Sequence, residues 1–180
     1  MTKTVFITGA ANGIGLASAR AFAAAGYNLV MTDLDADRCK EASQSIDAPV
    51  NVHAVDVRDK ASIQTAFDAG FEEFGPITHV HANAGVSNMK PALDLTEADW
   101  DFNFDVNAKG VFFTNQIAVS HFLAHGTKGV IVNTASLAAK MGAPLLAHYS
   151  ASKFAVIGWT QALAREHAKH GIRVNAAPVL

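Results

Sequence analysis

The chain of 180 residues carries a formal net charge of −2; half of it is apolar and 17% is charged. This length fits one domain with a buried core, which we place over residues 1–180. Nucleic acid and membranes are not expected partners, because the chain has no basic excess and no apolar run near the roughly 18 residues that span a bilayer. Cys39 is the only cysteine, which excludes an intramolecular disulfide and suits a soluble, cytoplasmic protein.

Short apolar runs alternate with segments of helical composition along the chain. The predicted strands cover residues 3–8, 27–33, 50–56, 77–83, 129–135 and 171–177. The predicted helices that follow the first five strands cover residues 13–26, 36–46, 60–74, 97–125 and 149–170. This alternation predicts an α/β fold, a doubly wound parallel sheet of Rossmann-like type with helices on both faces. Ligands of such sheets bind beyond the carboxyl ends of the strands.

A glycine-rich segment, TGAANGIG at residues 8–15, joins the first strand to the first helix. Its glycine spacing differs from the usual G-x-G-x-x-G, but positions without side chains still let backbone N–H groups approach a pyrophosphate at the helix N-terminus. The candidate cofactor-binding residues in this segment are Gly9, Asn12, Gly13, Ile14 and Gly15. The alternative is a plain strand-to-helix turn that favours glycine.

Asp33 ends the second predicted strand, close to where an acidic residue meets the adenosine ribose of a dinucleotide. A carboxylate at this point accepts hydrogen bonds from ribose hydroxyls and repels a 2′-phosphate. Neither the glycine segment nor residues 34–37 contain Lys or Arg, so NAD is favoured over NADP. Asp33 could instead cap the next helix, a role that Asp35 could also fill.

Tyr149 and Lys153 lie four residues apart in the segment HYSASK. On a helix this spacing lets both side chains reach one pocket. A phenol that ionises near neutral pH needs about 4 kcal/mol of stabilisation. An ammonium about 4 Å away supplies roughly that much at an effective dielectric constant of about 20. The same spacing is also common on solvated helices, so the pair alone leaves both interpretations open.

Four motifs follow one another in a fixed order: TG-x-x-x-G-I-G, NAG at residues 83–85, Ser136 after the fifth strand, and the Tyr149/Lys153 pair. Together they resemble the short-chain dehydrogenase/reductase family, in its single-domain branch, from residue 3 to about residue 176. The resemblance implies an NAD-dependent oxidoreductase that interconverts a small-molecule secondary alcohol and its ketone by hydride transfer.

The resemblance also implies a role for each matching residue. Tyr149 would exchange a proton with the substrate oxygen, and Lys153 would favour its phenolate form and bind the nicotinamide ribose. Ser136 would polarise the substrate carbonyl, and Asn107 would connect the lysine to a proton relay through a water. The remaining implied cofactor contacts are Asp56 and Val57 at the adenine ring, and Asn83, Ala84 and Gly85 after the fourth strand, with Asn83 primarily steadying the sheet.

Simpler explanations exist for the isolated polar residues. Ser136 could cap a turn after its strand, and Asn107 could be a satisfied polar residue inside a helix. Asp56 could cap the helix that begins near Asp59.

Histidines give no metal site in this interpretation. His79 and His81 face the same side of the fourth strand and His53 could sit nearby, but no acidic or thiol partner has useful spacing. His148 is expected at the surface, although it could line the substrate pocket.

The end of the sequence departs from the family pattern. After IRVN, Pro178 is not followed by glycine, and the family's substrate-covering loop and last strand have no counterpart before residue 180. Without a cover, the sixth strand would be an exposed edge and water would reach the site. Two functional hypotheses therefore stay open: an active dehydrogenase, or a nucleotide-binding module with little turnover.

The predicted helices 97–125 and 149–170 carry apolar residues on more than one face, whereas a helix that covers a sheet needs one apolar face. By resemblance, these helices form a four-helix interface between subunits. We therefore predict a homodimer or homotetramer. The residues behind this prediction are Trp100, Phe104, Phe112, Phe113, Ile117, Phe122, Phe154, Val156, Ile157 and Trp159.

Overall fold

The computed structural model describes residues 2–179 as one parallel sheet flanked by helices. The strands are β1 (Thr4–Thr8), β2 (Asn28–Asp33), β3 (Val50–Ala54), β4 (Ile77–Ala82), β5 (Val130–Ser136) and β6 (Arg173–Val179). The helices are α1 (Gly13–Ala24), α2 (Ala36–Ser43), α3 (Lys60–Phe74), α4 (Glu97–Phe104), α5 (Gly110–Ala124) and α6 (Ala147–His167). The sheet order β3-β2-β1-β4-β5-β6, with every pair parallel, confirms the predicted doubly wound fold.

Several predicted boundaries differ from the structure, and three departures have identifiable reasons. β3 ends at Ala54, because the chain then turns, with the Asp59 N–H donating to the Asp56 carbonyl. β6 starts at Arg173, since Gly171 takes φ +73° and closes the turn after α6. The predicted helix 97–125 contains a π turn, Asp105–Lys109, between α4 and α5.

The core lies on both faces of the sheet. Successive residues of β1 point to opposite sides, so that Phe6 joins one buried cluster while Val5 and Ile7 join the other. Phe67 of α3 meets Phe6 with ring centroids 4.9 Å apart. Full burial of such a side chain is worth about 1.5–3 kcal/mol, and burial on both faces explains why the strands are continuously apolar.

The apolar surplus of the α4–α5 and α6 segments is largely used within the chain. Ile117, Phe122 and Val156 are buried, and Trp159 packs edge-on against Phe112 at 5.1 Å. Only two of the ten residues are strongly exposed, Trp100 at 45% and Phe154 at 46%. The predicted homodimer or homotetramer stays a prediction.

The edges and helices complete the architecture. β6 is an edge strand of the described sheet, and Pro178 suits an edge because it offers no N–H for pairing.

Among residues 2–179, the helices all fall short of the length and apolarity that crossing a membrane requires.

His121 of α5 joins its helix to the start of β4. Its Nε2 accepts the Ile77 N–H at 3.2 Å, and its ring lies 5.1 Å from the Phe67 ring. Burial lowers the pKa of His121 from 6.5 to about 4. The neutral ring is therefore the form that the fold uses, because a protonated Nε2 could not accept this bond.

We expect acid to destabilise the protein through His121. Its folded pKa lies below the unfolded value, so the unfolded chain binds more protons and the free energy of unfolding falls as pH drops from 6.5 towards about 4. The variant His121→Gln keeps an acceptor for the Ile77 N–H but cannot titrate. Its free energy of unfolding should therefore fall less than that of the wild type between pH 6.5 and about 4. Urea unfolding of both proteins at neutral and acidic pH measures the difference. An equal loss would show that other groups set the acid sensitivity.

Candidate active site

A cavity of about 470 Å³ opens at the carboxyl ends of the central strands. Its volume is in the range typical of small-molecule sites. The predicted site residues that line it are Gly9, Asn12, Ile14, Asp33, Asp56, Val57, Asn83, Ala84, Gly85, Tyr149 and Lys153. Four others do not line this cavity: Gly13, Gly15, Asn107 and Ser136. The fold thus brings residues from five separate loops and helices to one site.

The glycine segment is shaped by close backbone approaches. A Cβ on Gly9, where φ is +64°, would lie 2.9 Å from the Ala84 Cα. A Cβ on Gly15 would lie 2.0 Å from the Gly9 carbonyl oxygen. These positions require glycine because side chains would push the β1–α1 loop away from the loop after β4.

The N-terminus of α1 is left open towards the cavity. Asn12 is the N-cap residue, yet its side chain makes no capping hydrogen bond. Gly13 takes φ +52° with no other heavy atom within 4 Å of a Cβ built there. Free N–H groups, a positive helix end and open space are what an anionic group needs.

Asp33 ties β2 to the glycine segment. Its Oδ2 accepts the Ala11 N–H at 2.9 Å, while its side chain lines the cavity. The helix after β2 is capped by Asp35, whose Oδ1 accepts the Arg38 N–H at 3.0 Å. The alternative in which Asp33 caps α2 is therefore wrong.

Asn83 joins three strands at the floor of the cavity. Its Nδ2 donates to the carbonyls of Thr8 and Gly9, both at 3.1 Å. Its Oδ1 accepts the Thr134 hydroxyl at 3.1 Å, and His81 Nε2 lies 2.9 Å from that hydroxyl. Burial lowers the pKa of His81 to about 4, so this network contains a neutral imidazole at neutral pH.

Tyr149 and Lys153 lie on the first two turns of α6 and share the cavity. Lys153 is 3% exposed, and its Nζ donates to the Thr134 carbonyl at 2.9 Å. The same Nζ lies 5.8 Å from the centre of the Tyr149 ring. Burial lowers the pKa of Lys153 to about 8, so the ammonium form still dominates at neutral pH.

Asn107 sits behind the cavity wall, in the π turn between α4 and α5. Its side chain is fully buried: Oδ1 accepts the Val86 N–H at 2.8 Å, and Nδ2 donates to the Val86 carbonyl at 2.9 Å and to Ser152 Oγ at 3.0 Å. A Cβ on Gly85 would lie 3.1 Å from Asn107 Oδ1 and 3.3 Å from Lys153 Nζ. Asn107 therefore fixes the loop after β4 and approaches the lysine across Gly85.

Ser136 ends β5 and is 6% exposed. Its Oγ accepts the Ala138 N–H at 3.1 Å, so it caps the short turn that follows the strand. This is the simpler of its two predicted roles. The hydroxyl hydrogen is not used by that bond, which leaves Ser136 able to donate to a ligand.

Asp56 is paired with a residue that the sequence did not single out. Arg58 donates from Nη2 to Asp56 Oδ2 at 2.6 Å and from Nε to Oδ1 at 2.9 Å. These bonds hold the pKa of Asp56 below its usual range. Asp59, not Asp56, caps α3 by accepting the Ala61 N–H at 2.9 Å, so the capping alternative for Asp56 is wrong.

Nine further residues that line the cavity were not predicted, among them Arg58 and Phe102. Arg58 follows the predicted pair Asp56 and Val57 directly, which is a usable local signal. Phe102 comes from α4, far along the chain, and nothing in the local pattern separates it from a core aromatic residue.

The expectation that His148 lies at the surface is wrong. It is fully buried, and its Nε2 lies 2.9 Å from Asn88 Oδ1. The loop after β4 covers this side of α6, an arrangement that the sequence around residue 148 does not reveal.

The three histidines considered for a metal site are separated. His79 and His81 lie on β4, whereas His53 lies on β3, with β1 and β2 between these strands. Residues 2–179 hold no group of three or more side chains suited to a metal ion.

The chain is similar to known proteins over nearly its whole length. Residues 3–178 match the family described as short chain dehydrogenase. Galactitol 2-dehydrogenase of Agrobacterium fabrum is 39% identical over 174 residues, which cover 97% of this chain and 68% of the relative. L-2,3-butanediol dehydrogenase of Corynebacterium glutamicum is 39% identical over 182 residues, which cover 98% and 70%.

A solved structure shows the same likeness. The crystal structure of 3-ketoacyl-(acyl-carrier-protein) reductase from Brucella melitensis, complexed with NADH, has a TM-score of 0.94 and 32% identity. The match covers 98% of this chain and 75% of that chain. Because the family match spans nearly the whole chain and the fold is the same, the protein belongs to the short-chain dehydrogenase family of oxidoreductases.

Proposed function

We propose that the protein is an NAD-dependent oxidoreductase that interconverts a secondary alcohol and its ketone. The observation that carries this proposal is that Tyr149 and Lys153 share one cavity with the glycine segment and Asp33. A phenol beside an ammonium is suited to proton transfer, and the glycine segment is suited to a dinucleotide. The two relatives are named for galactitol and L-2,3-butanediol, which supports an alcohol as substrate.

The residues present fit a nicotinamide dinucleotide. The open N-terminus of α1 and the space at Gly13 suit a pyrophosphate. Asp33 lines the cavity where the adenosine ribose would lie, and Asp56 with Val57 forms the wall for the adenine. By family resemblance, Lys153 would bind the nicotinamide ribose. When bound, the nicotinamide supplies or accepts the hydride.

Tyr149 moves the proton in this mechanism. Its hydroxyl donates a proton to the carbonyl oxygen during reduction, and its phenolate takes the alcohol proton during oxidation. The positive charge of Lys153, 5.8 Å from the centre of the Tyr149 ring, favours the phenolate that forms during reduction. Ser136 would donate its unused hydroxyl hydrogen to the substrate oxygen.

Preference for NAD over NADP follows from charge at the ribose end. Asp33 repels a 2′-phosphate, and Arg58, a cation in the cavity wall, is already paired with Asp56. The wall that faces the adenosine therefore offers no free positive charge among its described residues.

A nucleotide-binding module with little turnover is the second candidate. It is favoured by the hydrogen bond in which Ser136 Oγ caps a turn, and by the absence of Ser136 from the lining of the described cavity. Turnover measurements separate the two candidates.

The glycine segment can be tested with a matched pair of variants. Gly9→Ala should abolish nucleotide binding, because its Cβ would lie 2.9 Å from the Ala84 Cα at a residue with φ +64°. Gly26 has φ +80° but open space around a Cβ, so Gly26→Ala should lose about 1–2 kcal/mol of stability and keep its affinity. Calorimetric titration with NAD and urea unfolding measure both effects. Equal affinities in the two variants would contradict the proposed cradle.

Asp33→Asn should shift cofactor preference towards NADP. The amide oxygen can still accept the Ala11 N–H, so the loop keeps its position while the charge is lost. Loss of a hydrogen bond to a charged group predicts roughly 10- to 100-fold weaker NAD binding. Dissociation constants for NAD and NADP, measured on both proteins, give the result. A wild-type preference for NADP would overturn this part of the proposal.

Tyr149→Phe should lower turnover by roughly 100- to 10,000-fold, which is the range for loss of a general acid–base group. Nucleotide affinity should stay unchanged, because only the hydroxyl is removed. Absorbance of reduced nicotinamide across a panel of secondary alcohols measures turnover. Undiminished turnover in the variant would remove Tyr149 from its proposed role, and no turnover in the wild type would favour the binding module.

A further inference from the structure

The loop after β4, residues 83–91, forms one wall of the cavity and is bonded to the rest of the fold at several points. Its first part, up to Ser87, lines the cavity. Asn107 holds the loop at Val86 by bonds to both its N–H and its carbonyl. Another such point is Asn88, whose contacts the proposed mechanism does not use.

Asn88 connects three parts of the fold. Its Oδ1 accepts Asn103 Nδ2 at 2.8 Å and lies 2.9 Å from His148 Nε2. Its Nδ2 donates to Asp99 Oδ1 at 3.4 Å. The loop is thereby joined to α4 through Asn103 and Asp99, and to the first turn of α6 through His148.

The amide orientation of Asn88 follows from its neighbours. The Lys90 ammonium, 2.6 Å from Asp99 Oδ2, holds the pKa of that carboxyl well below its usual range, so Asp99 only accepts hydrogen bonds. The Asn88 Nδ2 must therefore face Asp99, which leaves Oδ1 for Asn103 and His148. It follows that His148 donates from Nε2 and carries its proton there.

The start of α6 depends on this loop. Leu146, the N-cap residue, makes no side-chain capping bond, and Leu145 before it takes φ +65°, in the left-handed region. The Leu145 carbonyl accepts the Lys90 N–H at 2.8 Å. Because α6 has no side-chain cap at Leu146, the bond from the Lys90 N–H to Leu145 and the bond from His148 to Asn88 help to hold its first turn, which carries Tyr149.

Stability alone does not explain a histidine at position 148. The ring is fully buried, and its Nδ1 has no partner within the described residues. An unpaired buried polar atom costs free energy that a leucine would not incur. Asn88 would keep its bond from Asn103 if the histidine were replaced.

We propose that His148 is a positioning residue: through Asn88 it fixes the cavity-lining loop against the first turn of α6, and so sets the place of the Tyr149 phenol relative to the bound nucleotide. The inference rests on the proposed function, since it assigns to His148 the placement of the group that moves the proton.

Four variants test the inference. His148→Leu should lower kcat by roughly tenfold or more, with unchanged NAD affinity and unchanged or higher stability to urea. His148→Gln should restore most of kcat, because its side-chain amide can donate to Asn88. His170→Leu, an exposed histidine beyond the same helix, is the matched control and should behave as the wild type. Asn88→Ala should lower kcat at least as much as His148→Leu, because it removes the loop's contacts to Asn103 and Asp99 as well as the contact to His148.

A readout independent of turnover separates this inference from the proposed function. Nitrogen-15 NMR of the histidine rings should show His148 protonated at Nε2, and backbone hydrogen exchange at residues 86–88 and 147–150 should speed up in His148→Leu. Unchanged exchange, or a turnover loss that only follows a loss of stability, would overturn the inference. If the wild type shows no turnover, the proposed function fails while faster exchange still supports the contact between loop and helix.

Discussion

The site depends on the joining of β1, β4 and β5 by the side chain of Asn83. Its amide donates to the carbonyls of Thr8 and Gly9 and accepts the Thr134 hydroxyl, so one side chain sets the spacing of three strand ends. Asn83 is half-buried, and its side-chain amide has partners for both its nitrogen and its oxygen, which offsets the cost of removing an amide from water. The glycine segment can approach Ala84 only because this spacing is held. The cavity is therefore as much a product of a polar network as of apolar packing.

Lys153 belongs to the same hydrogen-bond network as Asn83. Its ammonium is bonded to the Thr134 carbonyl, and the Thr134 hydroxyl is bonded to Asn83. The strand that supports the floor of the cavity thus also orients the cation beside Tyr149. Burial works against the charge and lowers the pKa of Lys153 to about 8, so the polar contact and the open cavity must offset that cost. The cofactor-binding loop and the Tyr149/Lys153 pair are therefore coupled through Thr134.

Features with a periodic or local pattern could mostly be predicted from the sequence, whereas individual side-chain contacts between distant segments could not. The strand–glycine–helix pattern around Gly9, and the helical spacing of Tyr149 and Lys153, are periodic and readable. His148 was placed wrongly because its partner Asn88 lies 60 residues away. Phe102 was missed for the same reason. Nothing in either local sequence says which loop will cover which helix.

The π turn Asp105–Lys109 has a consequence for how this region can change. Each residue of an α-helix adds about 100° of rotation, so one residue more or less turns everything beyond it to a different side. Deletion of one residue here would make the helix regular. It would also rotate either Asn107 away from the backbone of Val86 or the aromatic residues of α5 away from their present packing. Related sequences should therefore tolerate substitutions within Asp105–Lys109 better than insertions or deletions.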